Sequence, residues 1–152
     1  MDLSNSITYQ ITKCGNILHK LTAKKIKDAG IDLTPEESVL LNQLWDKDNQ
    51  TLTELGQWSV KGPSTVTRQI DGLVKKGYVE REHGDEDRRK VFARLSKEGK
   101  KLKSKFKKLQ VNTFDSALEG VTQKELDIAL EVILKIREQS LGELCGNSKS
   151  HK

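Results

Sequence analysis

Hydrophobic positions along most of this chain recur at spacings of three and four, the period of an amphipathic helix. Leu3, Ile7, Ile11, Cys14, Leu18 and Leu21 form one such stripe. Gly30 offers it a stop, with Lys24, Lys25 and Lys27 near the negative end of the helix. Thr34-Pro35-Glu36-Glu37 predicts a second start, with Thr34 as cap, Pro35 at the first helical position and Glu37 closing a capping box. That helix runs to about Asp46 and buries Val39, Leu40, Leu44 and Trp45 before Asp48-Asn49 turns the chain. A short third helix opens at Thr53-Glu54-Leu55 and stops near Ser59 or Val60, where Lys61-Gly62-Pro63 interrupts it. Ser64 or Thr65 begins a fourth, which turns Val66, Ile70, Leu73 and Val74 inward and ends at Lys75-Lys76-Gly77. Two short helices across a glycine-containing turn are the pattern of a helix-turn-helix.

The period then changes. Residues 78–82 and 91–95 are rich in β-formers and bracket a polar stretch, residues 84–90, which predicts a hairpin with a long charged tip. Ser96 is placed to cap a fifth helix over about 97–118, with Leu102, Phe106 and Leu109 inward and Phe114 and Leu118 further on. Gly120 breaks it. Thr122 and Glu125 make another capping box, and Leu126, Leu130, Ile133, Leu134, Ile136, Leu141 and Leu144 follow at helical spacing. The expected fold is therefore mainly α with a small two- or three-stranded β wing. It divides into an N-terminal helix (1–32), a winged helix-turn-helix lobe (33–96), C-terminal helices (97–145) and a polar tail (146–152), within one structural domain.

Composition adds a constraint on burial. The chain has 152 residues, 34% apolar and 32% charged, against ~45–50% and ~25% in ordinary globular chains. A core shared between two copies would make up the shortfall. Apolar runs are too short to span a membrane, and the first residues lack the basic and apolar regions of a secretory signal. Two cysteines make no disulfide framework, which fits a reducing cytosol. The cytoplasm is the expected location.

Charge adds the first functional pointer. The net charge is +5, but residues 53–110 carry sixteen Lys/Arg against eight Asp/Glu, whereas the flanking segments come to −1 and −2. Concentrated positive charge around a helix-turn-helix suits a polyanion, most often nucleic acid, although a solvated lysine-rich helix accounts equally for residues 97–108.

Four local motifs sharpen this: Ser64-Thr65-Val66-Thr67-Arg68 at the start of the fourth helix, Leu73-x-x-x-Gly77-Tyr78-Val79-x-Arg81 leading into the hairpin, Asp87-Arg88-Arg89-Lys90 at its tip, and Leu95-Ser96-x-x-Gly99 at the strand-to-helix junction. In this order and spacing the chain resembles the MarR family of bacterial winged helix-turn-helix transcription regulators. It departs from the family at Gly56 and Ser59, where a small alanine-like and an aliphatic residue are usual, at the large Trp58, and in the acidic residues ahead of the tip arginines.

The resemblance implies a homodimer in which the terminal helices interlock and a palindromic double-stranded DNA operator is bound. It implies a repressor released by a small phenolic or lipophilic ligand or by thiol oxidation. It makes Arg89 the wing residue inserted into the minor groove, with Asp87 supporting it. Independently, small hydroxyl residues at a helix N-terminus suit phosphates and base edges, which nominates Ser64, Thr65 and Thr67, with helix capping as their plainer role. Arg68, one turn in, can read a guanine edge, touch a phosphate, or pair with Asp71 or Asp87. Lys61, Lys75, Lys76, Arg81, Arg88 and Lys90 are candidates for the DNA backbone.

Cys14 is a candidate redox residue with Lys13 and His19 nearby, its alternative being a small buried core residue; Cys145 is incidental. His19, His83 and His151 show no ligand spacing, so neither metal nor cofactor is expected. No phosphate-binding loop, nucleotide fingerprint or nucleophile elbow is present, so an enzyme is not expected. The alternative to a specific regulator is a winged-helix module that binds DNA without sequence preference, or binds protein, and has no small-molecule effector.

Overall fold

The computed structural model describes residues 2–59 and 61–146, apart from the Thr113 side chain. Val60 as a helix end, His151 and the tail beyond Gly146 lie outside the described residues. The chain forms two compact units, residues 1–114 and residues 115–152.

Helix α1 spans Ile7–Asp28. It starts later than its apolar stripe because Leu3–Asn5 forms a separate 3-10 turn, Asp2 accepting the Ser4 N–H at 2.9 Å and Ser6 capping α1 through the Tyr9 N–H at 3.4 Å. Helix α2, Pro35–Asp46, carries the expected capping box: Thr34 Oγ1 accepts from the Glu37 N–H at 3.1 Å, and Glu37 Oε2 accepts from the Thr34 N–H at 3.0 Å. Leu40, Leu41, Leu44 and Trp45 are buried, whereas Val39 is exposed. Leu41 takes the inward place expected of Val39, because two residues turn a helix by about 200°.

The sequence pattern predicts no element at residues 50–51, but Gln50–Thr51 forms strand β1. Two residues are too short to show a period. Asn49 turns the chain at φ 57, and Asp48 Oδ1 accepts both the Asn49 N–H at 2.8 Å and the Leu95 N–H at 2.9 Å. Helix α3, Leu52–Ser59, is capped reciprocally by Thr51 and Glu54 at 3.1 and 3.3 Å. Helix α4, Pro63–Lys75, begins one residue ahead of the expected Ser64. Proline's fixed φ and missing N–H suit the first helical position, so Gly62 becomes the cap residue. Val66, Ile70 and Leu73 face the core, but Val74 is exposed, contrary to expectation.

Gly77, at φ 84, ends α4 and leads into β2, Val79–His83, which pairs antiparallel with β3, Val91–Leu95. The sheet order is β1-β3-β2, with Gln50 opposite Ala93 and Val79 opposite Leu95. Helix α5, Lys97–Ala117, starts at Ser96, whose hydroxyl accepts the Gly99 N–H at 3.0 Å and donates to the Gly77 carbonyl at 2.5 Å. Phe106 is buried, Leu102 and Leu109 pack at the edge of the core, and Phe114 and Leu118 are exposed. Gly120, at φ 81, precedes α6, Gln123–Gly146, which the expected box of Thr122 and Glu125 opens.

The core of the first unit gathers Ile26, Leu40, Leu41, Leu44, Leu55, Val66, Ile70, Leu73, Val79, Ala93 and Phe106. Of α1 only Ile26 is buried among the described residues, and of α6 none is. Ile7, Ile17 and Leu18 on α1, and Ile128, Leu130, Ile133 and Leu144 on α6, are exposed within the chain. No helix among the described residues is long and apolar enough to cross a membrane.

One junction fixes how α5 leaves the sheet. The Gly99 carbonyl accepts the Trp45 indole N–H at 2.9 Å, and a β-carbon at Gly99 would overlap the Tyr78 carbonyl oxygen. Gly99→Ala must push α5 off Tyr78 and stretch the Trp45 bond. It should destabilise the fold by roughly 1–3 kcal/mol, read as a lower urea midpoint.

Candidate nucleic-acid interface

Gly62 has a β-region backbone and no side chain with which to cap α4. The expected capping role of Ser64 is therefore not realised. It sits in the first turn, exposed, with Thr65 and Thr67 half-buried beside it. The amino end of α4 thus presents uncapped N–H groups, hydroxyls and partial positive charge together.

Arg68 is exposed and makes no ion pair among the described residues. Both acids considered for it are taken, Asp71 by Arg81 and Asp87 by Arg89. The pairing of Arg81 ties β2 to α4, so Arg81 leaves the set of backbone candidates. Lys61 and Lys75 are exposed, without ion pairs among the described residues.

Lys76 is corrected in the same way. Its ammonium lies 2.7 Å from Glu37 Oε2 and 3.5 Å from Asp32 Oδ1. Burial works against the charge, but the Glu37 and Asp32 carboxylates outweigh it and hold the Lys76 amine above its ordinary value. Glu37 is only 7% exposed. Lys76 therefore neutralises a buried carboxylate rather than facing a partner. Lysine in a cationic segment was legible from the sequence; an acid thirty-nine positions away that claims it was not.

The wing tip is held by its own backbone. The Gly84 N–H donates to the Lys90 carbonyl at 2.9 Å, the Lys90 N–H to the Asp87 carbonyl at 3.1 Å, and His83 Nδ1 to the Arg88 carbonyl at 2.9 Å. Asp87 Oδ1 accepts from both the backbone N–H of Arg89, at 3.0 Å, and its Nε, at 3.2 Å. The backbone bond, then the guanidinium, hold the Asp87 carboxyl below its ordinary range. The Arg89 side chain remains 93% exposed, braced at its base and open at its end. Arg88 and Lys90 are exposed on either side.

The departures noted at α3 have a local reason. The Lys61 N–H donates to the Gly56 carbonyl at 3.0 Å, and a β-carbon at Gly56 would press on Lys61 and Val66 at 3.2 Å. Glycine lets the turn close tightly over α4. The Ser59 hydroxyl donates to the Leu55 carbonyl at 3.0 Å, and Trp58 points outward, 66% exposed.

Trp58 borders a hollow of about 360 Å³ with Leu18, Ile26, Val39, Phe106 and Phe114. His19 lies on its rim and is hydrogen-bonded to Glu36 at 2.5 Å. Partial burial raises the Glu36 carboxyl, but its own N–H and His19 together hold it below its ordinary value. Cys14 is exposed on α1, so the core reading of this residue does not hold within the chain.

A family model described as MarR family matches residues 33–91. The HTH-type transcriptional repressor YetL of Bacillus subtilis is 30% identical over 107 residues, 69% of this chain and 64% of that protein; the match thus spans less than two thirds of the relative's length. Among solved structures, BpsR of Bordetella bronchiseptica, described in terms of regulation of its DNA binding by 6-hydroxynicotinic acid, superposes with a TM-score of 0.81 at 20% identity, covering 90% of this chain and 96% of that one. Reduced AbfR bound to DNA gives 0.68 at 23% identity, covering 94% of each.

The Lys76 assignment has a pH signature. A folded value raised above the ordinary 10.5 means that the stabilisation is complete below the unfolded value and is lost as pH rises through the folded one. Lys76→Met should cost roughly 1–3 kcal/mol at pH 7, and the gap to the parent chain should narrow above about pH 10.5 in denaturation series.

Proposed function

Because the chain belongs to the MarR family of winged helix-turn-helix regulators, we propose that it binds a palindromic double-stranded DNA operator as a homodimer and represses transcription until an effector releases it. The observation that carries this is the pairing of two open cationic features. One is the uncapped amino end of α4 with an Arg68 that makes no ion pair among the described residues; the other is a wing tip with a braced, exposed Arg89.

In this reading Ser64, Thr65 and Thr67 meet phosphates and base edges where α4 enters the major groove, and Arg68 reads a guanine edge. Arg89 enters the minor groove, drawn by its negative potential. Asp87 keeps the guanidinium extended, and Arg88, Lys90, Lys61 and Lys75 meet the backbone. The exposed apolar faces of α1 and α6 support a second copy as their cover. Two-fold symmetry would then set the recognition helices one DNA turn apart, ~34–36 Å. The hollow beside Trp58 supports a small lipophilic or phenolic effector. An exposed Cys14 keeps thiol oxidation as the second route of release.

The test is selection from random duplex DNA at near-physiological salt, with the mass in solution measured alongside. An enriched inverted repeat bound by a dimer is expected. Uniform, salt-sensitive binding with no enriched motif would replace the regulator with a non-specific module.

Arg89→Ala should lower operator affinity at least tenfold and leave the dimer mass unchanged; unaltered affinity would remove the wing from the interface. Arg68→Ala should relax preference at one position per half-site, with a loss of ~1–3 kcal/mol against the preferred base. Equal losses on all sequences would make it a phosphate contact.

A further inference from the structure

Helix α5 carries seven lysines and one acid between Lys97 and Lys108. Two of the seven are fastened, Lys103 to the Trp45 carbonyl and Lys107 to Asn42. Lys97, Lys100, Lys101, Lys105 and Lys108 are exposed. Of these, only Lys101 makes an ion pair among the described residues, with Glu98 at 3.6 Å. Lys97, Lys101, Lys105 and Lys108 recur at steps of four, four and three, which sets them along one face of the helix. At ~1.5 Å per residue the stripe is roughly 16 Å long.

The stripe works against the helix that carries it. Like charges four positions apart repel, as Lys97 does Lys101 and Lys101 does Lys105. Lys97, Lys100 and Lys101 also stand in the opening turns, where the helix end is itself partly positive. Glu98 offsets only part of this. The packing of α5 does not require the arrangement, since Leu102, Phe106 and Leu109 supply its inward face.

The chemistry of the face selects its partner. From residue 97 to residue 108 the exposed side chains are lysines, Glu98 and Ser104. Protein–protein interfaces are depleted in lysine and centre on aromatic side chains. Ammonium groups with no exposed apolar side chain among them suit phosphates, which they meet without regard to base sequence. The stripe belongs to the same compact unit as α4 and the wing. The five residues of β3 separate the wing tip from α5, so the stripe begins roughly 17 Å from the tip. A duplex seated on α4 and the wing reaches it only by bending toward the protein.

Resting on the DNA-binding reading above, we infer that the lysine stripe of α5 holds duplex DNA that flanks the site read by α4 and the wing. Lys97, Lys101, Lys105 and Lys108 meet its phosphates, with Lys100 beside them, and the flank bends to lie along them. The repulsion stored in α5 is relieved when the phosphates arrive.

The test compares two duplexes. One is the inverted repeat enriched by selection; the other has each arm extended by about 20 base pairs of unrelated sequence, roughly two turns. Affinity is read by anisotropy of labelled DNA over a salt series, and bending by energy transfer between dyes at the ends of the long duplex. The parent chain should bind the long duplex roughly tenfold tighter or more, with a salt slope steeper by about 0.9 for each flanking phosphate neutralised, and should draw the ends together. Changing Lys97, Lys101, Lys105 and Lys108 together to Gln should remove all three effects, while short-duplex affinity stays within about twofold and the dimer mass is unchanged. Changing the same four to Arg should retain them, because the charge is kept. The Gln variant should have a urea midpoint no lower than the parent's, since it loses repulsion and keeps helix propensity.

Equal affinity of the parent chain for the two duplexes, a long-duplex advantage that survives the Gln variant, or a lower urea midpoint in that variant would each overturn the inference. A changed dimer mass would overturn it in favour of a second copy on this face. Poly-glutamate bound more tightly than the flanks, through the same lysines, would overturn it in favour of an acidic protein. Binding of the short duplex is scored separately, and its absence counts against the regulator reading. If no repeat is enriched, parent and Gln variant are compared on unrelated duplexes of the same two lengths, where the loss of the long-duplex advantage still decides this inference.

Discussion

The Glu37 carboxylate serves two donors and abuts a third neighbour from a nearly closed position. Its Oε2 takes the Thr34 N–H and so closes the start of α2, and it takes the Lys76 ammonium at the far end of α4. Its other oxygen lies against Gly72, where a β-carbon would collide with it. A carboxylate buried to this degree is costly unless every lone pair finds a donor. The positions of α2 and α4 are therefore coupled: neither can move without exposing or orphaning this charge. The helix that carries Ser64, Thr65, Thr67 and Arg68 is held at its carboxyl end by Lys76 and Arg81, while its amino end is left open.

That division explains which cations are spoken for. Lys76, Arg81 and Arg94 all face acids across elements, the last reaching Glu80 and Glu82. Arg68, Lys61 and Lys75 face none among the described residues, and Arg89 is paired only at its base. Lysine-rich α5 is similarly mixed. Lys103 donates to the Trp45 carbonyl at 3.4 Å and Lys107 to Asn42 at 2.6 Å, so part of its charge fastens α5 to α2. A count of positive residues in the middle of the chain overstates the charge available to a partner.

Much of the fold was legible because local chemistry and packing agree at the element ends. Thr34 with Glu37, Ser96, Thr122 with Glu125, and glycines at 30, 77 and 120 all act where the pattern put them. The failures share a cause, which is that neighbours in space outrank neighbours in sequence. Val39 and Val74 carry the right residue type on the wrong side of their helices. Strand β1 exists because Ala93 and Phe92 face it, not because Gln50 and Thr51 favour β structure. Pro63 displaced Ser64 as the start of α4 because a ring with no N–H fits the first turn better than a hydroxyl fits the cap. At the wing, the contact of Asp87 with Arg89 spans two residues and is readable locally; the burial of Lys76 depends on Glu37 and is not.

The apolar faces of α1 and α6 place the last constraint. Their residues follow helical spacing as strictly as those of the core helices, yet Ile26 is the one residue of the two helices that the chain buries. Burying such side chains contributes ~1.5–3 kcal/mol each. A sequence low in apolar residues that leaves this many uncovered is short of burial as a single chain. A second copy, as proposed above, would supply both the missing cover and the symmetry that a palindromic site requires. A partner seated on α1 would also lie along the helix that contributes Leu18 and His19 to the hollow beside Trp58. Assembly and the hollow would then share one wall, α1.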